Sequence, residues 1–238
     1  MTDRIFVFDV DGTLCISRME MDNAFREWFL NFQKEQDTYL ITGSDREKTL
    51  EQVGPEVYNS ARRVYNCSGN SVWEQDREVY ASQWKLPDDC YNWLESQMYM
   101  SSWKEYTGRH FEDRPGLCNF SVVGRKATRM QRQLYIEHDE RTEERWTISE
   151  KFNDKFSEKY MIQSQVAGAT GLDIMPIGKD KSQIKIDFPD KEMWFFGDKM
   201  KKGGNDYPLA QVNTDGKNFE ITHYQHTWRL LRDYSCND

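Results

Sequence analysis

Two aspartates one residue apart, Asp9 and Asp11, have the types and spacing to do chemistry. They follow the apolar run 5–8 (IFVF), which is typical of a buried strand, and they precede Gly12, which permits a tight turn. Side chains alternate along a strand, so both carboxylates point to the same side. Two acids this close repel each other unless a cation lies between them, which predicts a hard metal ion such as Mg²⁺. One carboxylate can then act as a nucleophile while the other transfers protons.

Three further segments place polar side chains at the ends of predicted strands or close to them. Ser44 follows the predicted strand 38–42 at the start of a helix, where a hydroxyl and free backbone N–H groups favour phosphate oxygens. Lys181 supplies a cation, and Asp198, with Asp206 shortly after it, supplies further carboxylates. Each feature alone also fits an ordinary helix cap, surface cation or turn. Their occurrence together in this order favours one shared site.

The elements that must position these residues predict an α/β fold. Residues 1–80 alternate short apolar strands with amphipathic helices, an order that implies a parallel sheet with a ligand crevice at the carboxyl ends of its strands. Residues 81–179 are more charged and include the runs 109–112 and 118–123, which alternate like antiparallel strands. The buried-strand pattern returns after residue 180. We therefore expect a catalytic core, residues 1–80 and 180–238, with an inserted α+β domain at 81–179.

Two helix boundaries follow from local signals. A helix that opens at Asp45 is expected to stop near Gly54 and Pro55, because glycine and proline both disfavour helix interiors. The charge-rich segment 137–159 carries aromatic and aliphatic residues at helical spacing, which is typical of one solvated helix lying on a sheet.

The composition narrows the classes of function. The 238 residues are 37% hydrophobic and 14% aromatic, enough for a sizeable core. A net charge of -8 argues against a general binder of nucleic acids or anionic membranes. No apolar run approaches the ~20 residues of a membrane helix. The five cysteines are scattered without a C-x-x-C pair, which indicates free thiols in a reducing compartment, so we expect a cytoplasmic protein.

Together these motifs resemble those of the haloacid dehalogenase (HAD) superfamily and, within it, those of the eukaryotic-type phosphomannomutase family. The four superfamily motifs correspond to residues 9–14 (DVDGTL), Ser44, Lys181 and residues 197–198 (GD). The narrower resemblance is carried by four longer segments: 195–206 is similar to the family pattern FFGDKxxxGGND, 114–125 to RNGMLNVSPIGR, 168–176 to GGQISFDVFP, and 178–181 to GWDK. The matches extend from residue 5 to about residue 227.

The resemblance implies a Rossmann-like HAD core with an inserted C2-type cap built on an antiparallel sheet. It implies a phosphohexomutase that interconverts mannose 6-phosphate and mannose 1-phosphate through an aspartyl phosphate on Asp9, with a hexose 1,6-bisphosphate as activator. Asp11 would transfer the proton, while Ser44 and Lys181 would hold the phosphoryl oxygens. Mg²⁺ would be bound by the carboxylates of Asp9 and Asp198 and the main-chain carbonyl of Asp11, with Asp206 supporting the metal side.

The resemblance also implies how a hexose phosphate is held. The family's substrate-phosphate arginines correspond to Arg18, Arg114, Arg125 and Arg132, and Asp173 would accept hydrogen bonds from sugar hydroxyls. A guanidinium binds phosphate in a bidentate way. A mutase must bind a second, non-reacting phosphate, whereas a simple phosphatase has no such need. A homodimer formed through the cap is implied as well.

Two alternative functions stay open at this point. One is a sugar-phosphate phosphatase on the same scaffold, in which water resolves the phosphoenzyme, and the other is an inactive HAD-like binding protein. Three departures from the family pattern leave the sugar epimer open. Gly171 stands where the family has Ser, Pro115 stands where it has Asn, and residues 67–70 (CSGN) replace a Glu-Asn-Gly turn.

Overall fold

The computed structural model describes residues 4–236, which form two sheets and their flanking helices. The strands, in chain order, are β1 (Arg4–Phe8), β2 (Thr38–Ile41), β3 (Arg63–Asn66), β4 (Ser71–Glu74), β5 (Arg77–Ala81), β6 (Phe111–Arg114), β7 (Leu117–Phe120), β8 (Ile162–Ala167), β9 (Gly171–Pro176), β10 (Glu192–Gly197) and β11 (Lys217–Glu220). The α-helices are α1 (Asn23–Glu35), α2 (Arg46–Ser60), α3 (Asp88–Met100), α4 (Arg129–Thr142), α5 (Glu144–Tyr160), α6 (Tyr207–Val212) and α7 (Tyr224–Ser235).

The larger sheet brings the predicted catalytic strand ends together. Its seven strands lie in the order β11-β10-β1-β2-β3-β4-β5. The first five of these are parallel, and β4 and β5 add an antiparallel edge that the sequence pattern did not predict. Phe8, the last residue of β1, pairs with Leu40 on one side and Phe196 on the other. The chain therefore delivers Asp9 and Asp198 to the same edge of the sheet, next to the loop that carries Ser44.

The smaller sheet is antiparallel, with its four strands in the order β6-β7-β9-β8. Helix α5 packs against β8, and buried side chains such as Phe120, Phe152 and Ile174 fill the space between sheet and helices. The α/β class and the antiparallel second sheet predicted from the sequence are confirmed.

An aromatic cluster holds β1 in place behind the site. The ring of Phe8 lies 5.1 Å from that of Phe29 on α1 and stacks on Phe196 at 4.9 Å. Helix α1 begins after Asp22, whose side chain accepts a hydrogen bond of 3.0 Å from the backbone of Phe25. Burying one Phe side chain contributes about 1.5–3 kcal/mol, so this packing fixes the strand that ends at Asp9.

One of the two predicted helix boundaries is confirmed, and the other was wrong in detail. The helix that opens after Asp45 stops at Gly54, whose φ of +82° is not helical. Helix α2 therefore consists of two helical segments, and Pro55 starts the second, where no N–H is needed. The charged segment is two helices, separated at Glu143 with a φ of +52°. Asp139 accepts hydrogen bonds of 2.8 Å from the backbone and side chain of Arg145 and holds this break together.

All five cysteines are free thiols in the part of the chain that the structure describes, and four of them are buried. Among residues 4–236, no helix combines the length and the apolar character needed to cross a membrane.

Candidate active site

Three carboxylates meet at the carboxyl edge of the larger sheet. Asp9, Asp198 and Asp206 each offer an oxygen within 4.8 Å of the others. Burial raises the pKa of Asp9 well above its usual range; the two acids add to this shift and Lys181 opposes it. Burial likewise raises the pKa of Asp198 to about 6. A divalent cation relieves such repulsion and prefers carboxylate oxygens, so these residues fit Mg²⁺.

A buried lysine joins two of these carboxylates. The Nζ atom of Lys181 lies 2.5 Å from Asp9 Oδ1 and 2.7 Å from Asp206 Oδ1. The second oxygen of Asp206 accepts a hydrogen bond of 2.9 Å from the backbone of Lys199. Burial lowers the pKa of Lys181, but the two carboxylates outweigh this and raise it above its usual value. Lys181 therefore stays positively charged beside Asp9.

Asp11 accepts several hydrogen bonds. Its Oδ1 atom lies 3.0 Å from both the backbone N of Arg18 and Nε2 of Gln52, and its Oδ2 atom lies 3.2 Å from Ser44 Oγ. The Nζ atom of Lys48 is 3.6 Å from the same Oδ2. Burial raises the pKa of Asp11, but Lys48 and the hydrogen bonds outweigh it and hold the pKa below its usual range. Asp11 is therefore an ionised carboxylate in the lining of the cavity.

Arg114 and Asp173 from the smaller sheet contact the core loop at Gly43. Arg114 Nη1 donates a hydrogen bond of 2.5 Å to the carbonyl of Gly43. A Cβ on Gly43 would lie 2.4 Å from Asp173 Oδ2, so any other residue at this position would displace the Asp173 carboxylate. Burial raises the pKa of Asp173, and Arg114 opposes that shift. The two sheets therefore face each other across one cavity.

Three further arginines concentrate positive charge in a protein of net charge -8. Burial, followed by repulsion from Arg125 and Arg132, lowers the pKa of Arg18 to about 9. Burial also lowers the pKa of Arg125 and of Arg132. Arg132 is oriented by a hydrogen bond of 3.2 Å to the hydroxyl of Thr170. Cations crowded in this way fit an anion such as a phosphate group.

The family comparison agrees with this geometry. Residues 25–233 match the family model described as eukaryotic phosphomannomutase. The chain belongs to the eukaryotic phosphomannomutase family. The phosphomannomutase of Saccharomyces cerevisiae is 30% identical over 220 residues, which are 87% of this chain and 85% of that protein. A probable phosphomannomutase of Caenorhabditis elegans is 28% identical over 91% of this chain and 90% of its own length.

Solved structures with a similar fold are more distant in sequence. An IMP-nucleotidase of Plasmodium falciparum superposes with a TM-score of 0.63 at 11% identity, covering 98% of this chain and 68% of that chain. The sucrose-phosphatase of Synechocystis superposes with a TM-score of 0.55 at 12% identity, covering 99% of this chain and 88% of that chain. At these identities the likeness concerns the fold alone, and it agrees with the predicted α/β architecture.

The structure brings the predicted site residues of this phosphomannomutase family member together. One cavity is lined by nine of them: Asp9, Asp11, Arg18, Ser44, Arg114, Arg125, Arg132, Asp173 and Asp198. The other two, Lys181 and Asp206, lie behind Asp9, where both are fully buried.

Sequence reasoning missed four residues that organise the cavity. Lys48 and Gln52 lie four and eight residues after Ser44 on the same face of α2, and Lys48 Nζ is 3.0 Å from Ser44 Oγ. A spacing of four residues places side chains on one face of a helix, so the sequence alone could have identified these two residues. The other two are Glu112 and Asn119, which contact Arg125 from the smaller sheet.

The departures from the phosphomannomutase pattern lie close to the cavity. A Cβ on Gly171 would come within 2.7 Å of the Asn119 amide nitrogen. Pro115 and Gly116 form the two-residue turn between β6 and β7. Gly116 has a φ of +67°, in the left-handed region that favours glycine. Asn70, at the end of the replaced turn, donates a hydrogen bond of 2.7 Å to the carbonyl of Lys179.

Proposed function

We propose that this protein interconverts mannose 6-phosphate and mannose 1-phosphate through an aspartyl phosphate on Asp9. The observation that carries this proposal is the presence of two anion-binding groups in one cavity. Asp9 lies beside Lys181 and forms the reaction centre, while Arg18, Arg125 and Arg132 form a second cluster of cations. A substrate with a reacting and a non-reacting phosphate needs both groups.

The first transfer starts from phosphorylated Asp9, which a hexose 1,6-bisphosphate activator supplies. Asp11 takes the proton of the C1 hydroxyl of mannose 6-phosphate, and the C1 oxygen bonds to phosphorus as the bond from phosphorus to Asp9 breaks. Ser44 and Lys181 hold the phosphoryl oxygens during this exchange. The product, mannose 1,6-bisphosphate, then turns around in the cavity.

The second transfer reverses these roles. A carboxylate oxygen of Asp9 bonds to the phosphorus at C6 while the bond to the C6 oxygen breaks, and Asp11 returns the proton to that oxygen. Mannose 1-phosphate leaves and Asp9 is phosphorylated again. Mg²⁺, held by Asp9, Asp198 and the main-chain carbonyl of Asp11 with Asp206 in support, would neutralise charge at the nucleophile.

The division into a core and a cap belongs to the same proposal. Residues 81–179 would form a cap that closes over the core, residues 1–80 and 180–238, and excludes water from the aspartyl phosphate. The hydrogen bond from Arg114 to Gly43 supports this role, because it joins the two sheets directly beside the site.

Two properties implied by the resemblance are part of the proposal as well. A homodimer through the cap is supported by the position of β6 at the edge of its sheet, where a second copy could pair with it. Light scattering of the pure protein measures its mass directly. A cytoplasmic location is supported by the free thiols.

The reaction is tested by ³¹P NMR of the protein with mannose 1-phosphate and Mg²⁺, with and without a hexose 1,6-bisphosphate. We expect a mannose 6-phosphate signal that grows faster when the bisphosphate is present. Release of inorganic phosphate alone would replace this proposal with the sugar-phosphate phosphatase. The Asp9→Asn variant controls for contaminating activity.

A further inference from the structure

Glu112 on β6 binds two arginines of the cavity through different oxygens. Its Oε1 atom accepts a hydrogen bond of 2.7 Å from Arg114 Nε and a second from Arg114 Nη2. Its Oε2 atom forms an ion pair with Arg125 Nη2. The side chain is only 14% exposed. Burial raises the pKa of Glu112, but the two arginines outweigh it and hold the pKa at about 2. Glu112 is therefore a permanent negative charge among cations.

The bonds to Glu112 leave part of each guanidinium group open. A guanidinium carries five N–H donors. Arg114 directs two of them to Glu112 and one to the carbonyl of Gly43, which leaves two among the described residues. Arg125 directs one to Glu112 and one to Asn119 Oδ1 at 2.7 Å. Both arginines are thus anchored by protein acceptors and keep further donors for an anion.

Glu112 also belongs to a polar row that crosses the smaller sheet. It pairs with Asn119 on β7, and Asn119 pairs with Asp173 on β9. The Asn119 amide donates a hydrogen bond of 2.7 Å to Asp173 Oδ1 while its oxygen accepts one from Arg125. Cross-strand partners share a face of the sheet, so these three residues hold one another in place and Glu112 and Asn119 hold the arginine side chains.

We propose that Glu112 is a positioning residue that fixes Arg114 and Arg125 for the non-reacting phosphate of the sugar phosphate. This inference rests on the proposed function. Arginine side chains are long and flexible, and those of this cavity repel each other, so an anchored counter-charge is needed to present their donors in one geometry. Glu112 acts through the arginines and does not touch the reacting atoms.

The test replaces Glu112 with Gln, which keeps the size but removes the charge and one acceptor. We expect the Kd for mannose 6-phosphate, measured by calorimetry, and the KM for mannose 1-phosphate to rise about tenfold, as coupling between residues of one hydrogen-bonded network implies. The kcat should change much less, because Asp9 and Asp11 are untouched. Glu112→Asp keeps the charge and should recover part of the affinity.

A matched control lies on the same strand. Asp113 is the next residue of β6, faces the other side of the sheet and bonds to the hydroxyl of Tyr91. Asp113→Asn removes the same charge without touching an arginine and should leave both Kd and KM unchanged.

Phosphorylation of Asp9 by acetyl phosphate separates this inference from the proposed function. Acetyl phosphate is a small donor without a second phosphate, so Glu112→Gln should be phosphorylated as fast as the unmodified protein. Unchanged affinity in Glu112→Gln, tighter binding, or an equal fall in kcat and kcat/KM would each overturn the positioning role. If the unmodified protein neither becomes phosphorylated nor interconverts the sugars, the proposed function fails instead, and calorimetry still tests Glu112.

Discussion

Lys181 and Asp9 form an ion pair of 2.5 Å in which the lysine side chain has no contact with solvent. The same ammonium group lies 2.7 Å from Asp206. The positive charge of Lys181 therefore balances the negative charges of two buried carboxylates, Asp9 and Asp206. Lys181 lies in the segment 177–191, which connects β9 of the smaller sheet to β10 of the larger sheet. This connection therefore supplies the cation of the reaction centre.

Replacing Lys181 with Ala is expected to destabilise the protein as well as inactivate it. Removing one partner of a buried ion pair costs about 3–5 kcal/mol, since the other charge is left unpaired. Urea unfolding measures this loss of free energy. Lys185→Ala is the matched control, because Lys185 lies with Lys181 on the short helix Lys181–Asp187. It breaks only an ion pair of 3.2 Å with the exposed Asp215, which is worth at most about 1 kcal/mol. If both variants lost the same free energy of unfolding, burial of the Lys181 ion pair would not explain its contribution to stability.

Asp9→Asn is expected to abolish turnover and leave the fold intact. The amide has the size of the carboxylate but cannot form the acyl phosphate, and its exchange removes one of three carboxylates that repel each other. Activity is followed by ³¹P NMR and folding by circular dichroism. Turnover at the original rate would rule out Asp9 as the nucleophile.

Residues at strand ends could be predicted from the sequence because the carboxyl ends of neighbouring parallel strands meet at one edge of a sheet. Asp9 and Asp198 follow directly from that rule. The partners of Glu112 do not follow from it. They depend on the register of β6 against β7 and of β7 against β9, and several registers place the same residues on one face of the sheet.

The break inside α2 could be predicted from local signals, but the helical segment after it could not. Gly54 and Pro55 predict a stop, and the helix is interrupted at Gly54. A second helical segment then starts at Pro55, and its Val57 and Tyr58 are fully buried in the core. The hydroxyl of Tyr58 also donates a hydrogen bond of 2.8 Å to Asn66. Tertiary packing of this kind is not visible in a local sequence pattern.

Addition of Mg²⁺ is expected to raise the melting temperature, and EDTA is expected to stop turnover. A ligand that binds only the folded state at 100 times its Kd stabilises it by about 2.7 kcal/mol. In Asp198→Asn the increase should be much smaller, because a carboxylate ligand is lost from the cluster. Asp215→Asn, at an exposed site away from the cluster, is the control. Calorimetric melting curves with and without Mg²⁺ give the comparison.

Gly43→Ala tests the close approach between the two sheets. The new Cβ would lie 2.4 Å from Asp173 Oδ2, so Asp173 must move, and Arg114, bonded to the carbonyl of Gly43, is next to the displaced group. We expect kcat/KM for mannose 1-phosphate to fall about tenfold or more, as a misplaced contact of about 1 Å implies, while unfolding by urea changes little. In an Asp173→Ala background the same substitution should cost much less, because the clash is already removed, and this non-additivity identifies the contact. Equal losses in both backgrounds would show that Gly43 acts independently of Asp173.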